Sequence, residues 1–207
     1  MNKFAIRLAV AAGIAACAGV ASALQFVDVQ ITGDVSLIGI NAADVTVNMF
    51  DKDIDFGFSH ACVGDNLPLR SGSISVTFEV KSDPTKELIY CDLLSASVLT
   101  KGSGFVQISE FIEDFTNGGP AYGPLNVDTV STSGGVLTGK LEWPKGSSHI
   151  KVKKTIFLDA AADTNARDLA CIGLMEQRFK TMPVPEPATI FGVGTALAAI
   201  VARRKKS

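Results

Sequence analysis

Ser73-Ile74-Ser75-Val76-Thr77-Phe78-Glu79-Val80-Lys81 is the stretch that decides the fold class. Ile74, Val76, Phe78 and Val80 alternate with Ser73, Ser75, Thr77, Glu79 and Lys81, a period of two. An extended strand puts every second side chain on one face, whereas a helix would scatter these four apolar residues around its circumference. A strand with one wet and one dry face needs a second layer over the dry one.

Working outward, the same period recurs at Val27, Val29 and Ile31 against Asp28 and Gln30, and at Val45, Val47 and Met49 against Asp44, Thr46 and Asn48. Val35 to Ile40, Leu88 to Leu99 and Phe105 to Ile108 are more uniformly apolar, as strands between two layers are. Val136 to Trp143 alternates through Leu137, Leu141 and Trp143. In His149 to Leu158, Lys154 interrupts Ile150, Val152, Ile156 and Leu158, which predicts a bulge or a sheet edge. Leu169 to Lys180 fits a short helix behind Thr164 or a last strand, and the strand reading is preferred. Turn signals punctuate these runs at Gly33-Asp34, Asp83-Pro84, Gly118-Gly119-Pro120, Gly134-Gly135 and Pro144-Lys145-Gly146. Thr116 to Gly135 is expected to be the longest irregular loop. About eight short strands without a βαβ rhythm predict an all-β fold, an antiparallel β-sandwich.

The two ends differ from this middle. Met1 to Ala23 reads as a signal peptide: Lys3 and Arg7, then apolar Leu8 to Val20, then the small-residue cleavage site Ala21-Ser22-Ala23. Ile14-Ala15-Ala16-Cys17 offers a competing lipoprotein site, which would lipidate Cys17; cleavage before Leu24 is preferred. At the other end stand Val184-Pro185-Glu186-Pro187, an uncharged run from Ala188 to Ala202, and Arg203-Arg204-Lys205-Lys206. Pro185 and Pro187 stop any helix from extending upstream. Fifteen helical residues span about 22 Å at ~1.5 Å each, short of the roughly 30 Å hydrocarbon core. The basic cluster predicts a cytoplasmic tail and an exported body. The expected division is therefore 1–23 signal peptide, 24–182 β-sandwich, and 183–207 tail with a membrane helix over 188–202.

This C-terminal order resembles the PEP-CTERM sorting signal, a segment also catalogued as the ice-binding protein C-terminal domain. The resemblance rests on Pro185-Glu186-Pro187, the Ala/Gly/Leu-rich segment and Arg203 to Lys206, about the last tenth of the chain. It implies an exosortase as partner, transient residence in the inner membrane, and a role linked to exopolysaccharide or biofilm. Ice binding does not follow from that name, and the chain has no Thr-x-Thr ladder.

The body from Leu24 to Met182 carries 13 basic and 20 acidic residues, a net of −7, which argues against nucleic acid as a partner. Cys62, Cys91 and Cys171 allow one disulfide and one free thiol by three pairings, with Cys62–Cys91 the expected one. A Cys3His zinc site from His60 and these three lacks any short Cys-x-x-Cys pair. Asp51, Asp53 and Asp55 form a calcium candidate, although Phe56 stands where an EF-hand needs glycine and Cys62 where it needs glutamate. Glu110 with Glu142 is the conceivable glycosidase pair, and His60 and His149 are the only histidines. No nucleophile elbow is present, and no cofactor is implied. The sequence reading is an exported structural or adhesive protein and not an enzyme. A carbohydrate-binding module is the first alternative and a secreted hydrolase the second. An exposed, coplanar Trp143 and tyrosine pair would favour sugar binding; a buried Trp143 would favour plain core.

Overall fold

A computed structural model describes residues 3–7, 24–34, 45–64, 67, 69–119, 121–129, 135–160 and 167–184. Among them are eleven strands and no helix: β1 (Lys3–Arg7), β2 (Gln25–Asp34), β3 (Val45–Met49), β4 (Asp53–Gly64), β5 (Ser71–Lys81), β6 (Glu87–Lys101), β7 (Phe105–Asp114), β8 (Ala121–Asp128), β9 (Gly135–Ser147), β10 (His149–Asp159) and β11 (Leu169–Pro183). They form a six-stranded sheet, β1-β2-β5-β10-β7-β8, and a five-stranded sheet, β3-β4-β11-β6-β9. Every pairing is antiparallel.

The alternating β5 stretch behaves as its pattern requires. Ile74, Val76, Phe78 and Val80 are wholly buried, and the intervening Ser, Thr and Glu are half-exposed. Phe78 meets Phe56 of the opposite sheet at 5.6 Å between ring centroids, and Phe179 at 6.3 Å. Phe26 joins them, 5.9 Å from Phe179. Two phenylalanines from each sheet thus interlock, which makes the pair of sheets a β-sandwich. Along one side the sandwich is closed by β8 against β9. A Cβ at Gly139 would come within 2.8 Å of Leu125, so the close approach of these strands requires glycine there.

Several expectations need correction. In β2 the buried face is carried by Phe26, Val29 and Ile31, not by Val27. A bulge between Val27 and Gln30, with Asp28 at φ 53°, shifts the phase by one residue. The long loop expected over 116–135 contains β8, whose Tyr122, Leu125 and Val127 pack on the core. β4 was not anticipated as a strand. Pro144-Lys145-Gly146 lies inside β9, where pairing to β6 breaks between Glu142 and Ser147. Lys154 is neither at a bulge nor at an edge. β10 runs between β5 and β7 in unbroken register, and Lys154 takes an inward position in line with Val152 and Ile156. The strand expected over 35–40 lies outside the described residues. The expected signal peptide over 1–23 is not among these corrections: residues 3–7 pair with β2 as an edge strand in the full-length chain, and the rest of that segment lies outside the described residues.

The disulfide joins Cys62 to Cys171, and Cys91 is free and buried, so the Cys62–Cys91 pairing is wrong. Strand order gives the reason. Cys62 and Cys171 are direct cross-strand partners on β4 and β11, with Cα atoms 4.2 Å apart. Cys91 sits on β6, with β11 intervening. Two strand spacings are about 10 Å, beyond the ~7 Å that a disulfide bridges.

Phe78→Ala should cost about 3–5 kcal/mol through lost burial and a cavity, whereas Thr77→Ala on the outer face should stay within about 1 kcal/mol. Denaturant melts of both variants check this, and equal losses would contradict the inward assignment. Peptide mapping without reductant should recover Cys62 joined to Cys171, with Cys91 alkylated only after denaturation. The bridge closes a loop of 109 residues, so the double variant C62S/C171S should lose about 4–5 kcal/mol.

Candidate functional site

β4 begins Asp53-Ile54-Asp55-Phe56, and its pleat sends Ile54 and Phe56 into the core and both carboxylates outward. Across the ladder, Asp53 stands opposite Arg178 and Asp55 opposite Glu176 on β11. Leu93 and Ser95 of β6, then Thr138 of β9, continue the same rows. Together they line a groove of about 540 Å³ on the outer face of the five-stranded sheet, with the half-exposed ring of Phe50 at one end.

The charges in this groove largely satisfy one another. Arg178 grips Asp53 with two hydrogen bonds, Nε to Oδ1 and Nη2 to Oδ2, each 3.0 Å. Partial burial raises the Asp55 carboxyl above its ordinary range, helped by Glu176 and Asp53 and opposed by Arg178. The calcium candidate does not assemble. Asp53 and Asp55 share the face, but Asp51 sits in the preceding turn, where its backbone carbonyl accepts from Leu24 N–H at 2.8 Å. No group of three metal-ligating side chains occurs among the described residues. The disulfide likewise takes two of the three thiolates that a Cys3His zinc site needs.

Trp143 is only 3 % exposed, and its Nε1 donates to the Ile89 carbonyl at 3.0 Å. Tyr122 stacks on it at 5.8 Å and 20°. The two rings are stacked face to face rather than coplanar, and the indole belongs to the core and offers no platform. Glu110 and Glu142 do not share a site either. Glu110 is sealed between the sheets, while Glu142 lies on the surface beside Lys140. Ser147 and His149 form no triad. Ser147 Oγ donates to Asp114 Oδ1 at 2.7 Å, and the same carboxylate caps the turn at Thr116 and Asn117. The His149 ring pairs instead with Glu79 at 2.8 Å.

Between the sheets lies a polar cluster that the sequence reading missed. Lys154 of β10 ion-pairs with Glu110 of β7, its direct cross-strand partner, and both side chains are fully buried. From the other sheet, Gln177 Nε2 donates to Asp92 Oδ1, again with both residues at 0 % exposure. Burial pushes the Asp92 carboxyl up to about 7, with the Lys154 charge pulling it back. Burial brings Lys154 down to about 8, with Asp92 opposing. Asp92 Oδ2, Glu110 Oε1 and Gln177 Oε1 receive no hydrogen bond among the described residues. The signal for the cluster was there in the sequence, as Lys154 sits on the apolar phase of its strand.

Val184 is the last described residue, held by its N–H to the Lys86 carbonyl at 2.8 Å. Pro185, Glu186 and Pro187, the expected helix over 188–202, Arg203, Arg204, Lys205 and Lys206, and the cleavage residues Ala21 and Ala23 lie outside the described residues. No described helix is long and apolar enough to cross a membrane.

No curated protein is significantly similar to the chain in sequence. Among solved structures, TmCBM61 in complex with β-1,4-galactotriose superposes with a TM-score of 0.36 and 14 % identity, covering 75 % of this chain and 88 % of that one. The enzymatically active domain of tailspike protein 4 from bacteriophage CBA120 gives 0.26 and 10 %, covering 79 % and 19 %. Both superpositions are too loose to speak to ligand or activity. The PEP-CTERM protein-sorting motif matches residues 183–206, so the chain carries an exosortase-directed address and is an exported protein of the cell surface or exterior.

Proposed function

We propose that the mature protein is a non-enzymatic structural or adhesive sandwich of the cell surface or extracellular matrix. It crosses the inner membrane by the Sec route as a precursor, loses residues 1–23, and is held by the 188–202 helix until an exosortase acts. Its working context is exopolysaccharide or biofilm. The observation that carries this reading is the junction at Pro183. β11 pairs with β6 through Pro183, and the sorting motif begins at that same residue. The address is thus joined directly to a strand flanked on both sides in its sheet, without a linker. Such a body is suited to be a passive, sturdy cargo. Carbohydrate binding is the second reading, favoured by the groove beside Phe50, where an exposed ring adjoins carboxylates and hydroxyls.

If the tail is an address, the triple substitution Pro185→Ala, Glu186→Ala and Pro187→Ala should leave the precursor uncleaved in the inner membrane. Deleting the host exosortase should do the same. Wild-type protein should lose Arg203 to Lys206 and move to the surface or the medium. Fractionation with an antibody to the β domain and a tag after Ser207 reads the outcome. Tail retention in wild type, unchanged by either alteration, would reduce the segment to a plain anchor. A sugar-binding role would show as retention on polysaccharide columns that is lost in Phe50→Ala.

A further inference from the structure

We propose that Lys154 and Glu110 condense into an intramolecular amide bond that staples β10 to β7 inside the sandwich, with Asp92 carrying the proton. The two residues are opposite one another on neighbouring strands, both side chains are sealed from water, and the amine nitrogen already lies against the carboxylate. Beyond Glu110, Lys154 Nζ has no hydrogen-bond partner among the described residues. A buried ion pair that lacks further hydrogen bonds is costly, because little offsets the lost hydration of either charge. Condensation abolishes both charges and leaves one N–H and one C=O to be satisfied.

The chemistry balances without an oxidant, a reductant or a further reactant. A proton passes from the ammonium to the carboxylate within the pair, giving a neutral amine and a neutral acid. The amine lone pair attacks the Glu110 carboxyl carbon and the C–N bond forms. The C–OH bond then breaks, the amine proton travels through Asp92 to the departing hydroxyl, and one water leaves. Asp92 suits this task because it stands on the facing sheet, fully buried, with its Oδ2 receiving no hydrogen bond among the described residues, and burial favours its protonated form. Gln177 holds Asp92 in place through the other carboxylate oxygen. Fixing amine and acid face to face in a dry core makes the step effectively unimolecular, which is where intramolecular reactions gain most of their rate.

The test is tryptic mapping of the full chain purified after export, with an intact Cys62–Cys171 bridge as proof of folding. An amide at Lys154 blocks trypsin there. It should yield a branched peptide joining residues 102–140 to residues 154–167, lighter by one water than the two together. Lys154→Met and Glu110→Ala should abolish the branch. Asp92→Asn retains both reacting side chains and should abolish or greatly slow its appearance, followed as branch against time after synthesis. Free 102–140 peptide and cleavage after Lys154 in folded wild-type protein would overturn the proposal. A branch forming as fast in Asp92→Asn as in wild type would overturn the role of Asp92.

Discussion

The fold depends on four phenylalanines that hold two sheets face to face. Phe26 and Phe78 enter from one sheet, Phe56 and Phe179 from the other, with neighbouring centroids 5.6–6.4 Å apart. Sheets pack at about 10 Å, and aromatic rings fill that gap at a low cost in rotamer freedom. Once those rings meet, the phase of every strand is set, since a one-residue slip would turn each inward row to the solvent. The bulge at Asp28 follows from this constraint. Without the extra residue, Phe26 and Ile31 could not both face inward on the same strand.

What the sequence could reveal followed from how local each signal was. The β5 alternation was readable because its period lies within eleven residues and needs no knowledge of the neighbours. The sorting motif was readable for the same reason, being a linear pattern of prolines, apolar residues and charges. The disulfide was not, because it depends on β11 lying between β4 and β6, an order set by pairings 68 to 125 residues apart in the chain. Lys154 was misread because lysine ordinarily marks solvent. Its partner, Glu110, lies 44 positions away on a strand whose adjacency is equally non-local. β8 was hidden behind the glycines and prolines around it, which signal turns at its ends but are tolerated on the edge strand that it is.

Taken together, the described body offers little surface chemistry. The charged groove is internally paired through Arg178, Trp143 is structural, Ser147 serves a turn and His149 an ion pair. The unusual chemistry is turned inward, where Asp92, Glu110, Lys154 and Gln177 are buried between the sheets. The buried cluster thus lies in the body of a protein that carries its export address at the C-terminal end.

The position of β11 has a mechanical consequence. A pull on the chain beyond Val184 reaches the body through this strand, which is bonded to β6 as far as Pro183 and, from Leu169 to Arg178, to β4 as well. Force directed along a strand loads its flanking hydrogen bonds together, in shear, rather than peeling them off singly. Near the opposite end of the strand, Cys171 is clamped covalently to β4. Once the hydrogen bonds yield, the strand can be drawn out only as far as that clamp. Resistance of this kind is set by the rate of unfolding rather than by equilibrium stability. Tension on the C-terminal side therefore falls on an interior strand of its sheet, covalently tied to its neighbour, while both edges remain unloaded.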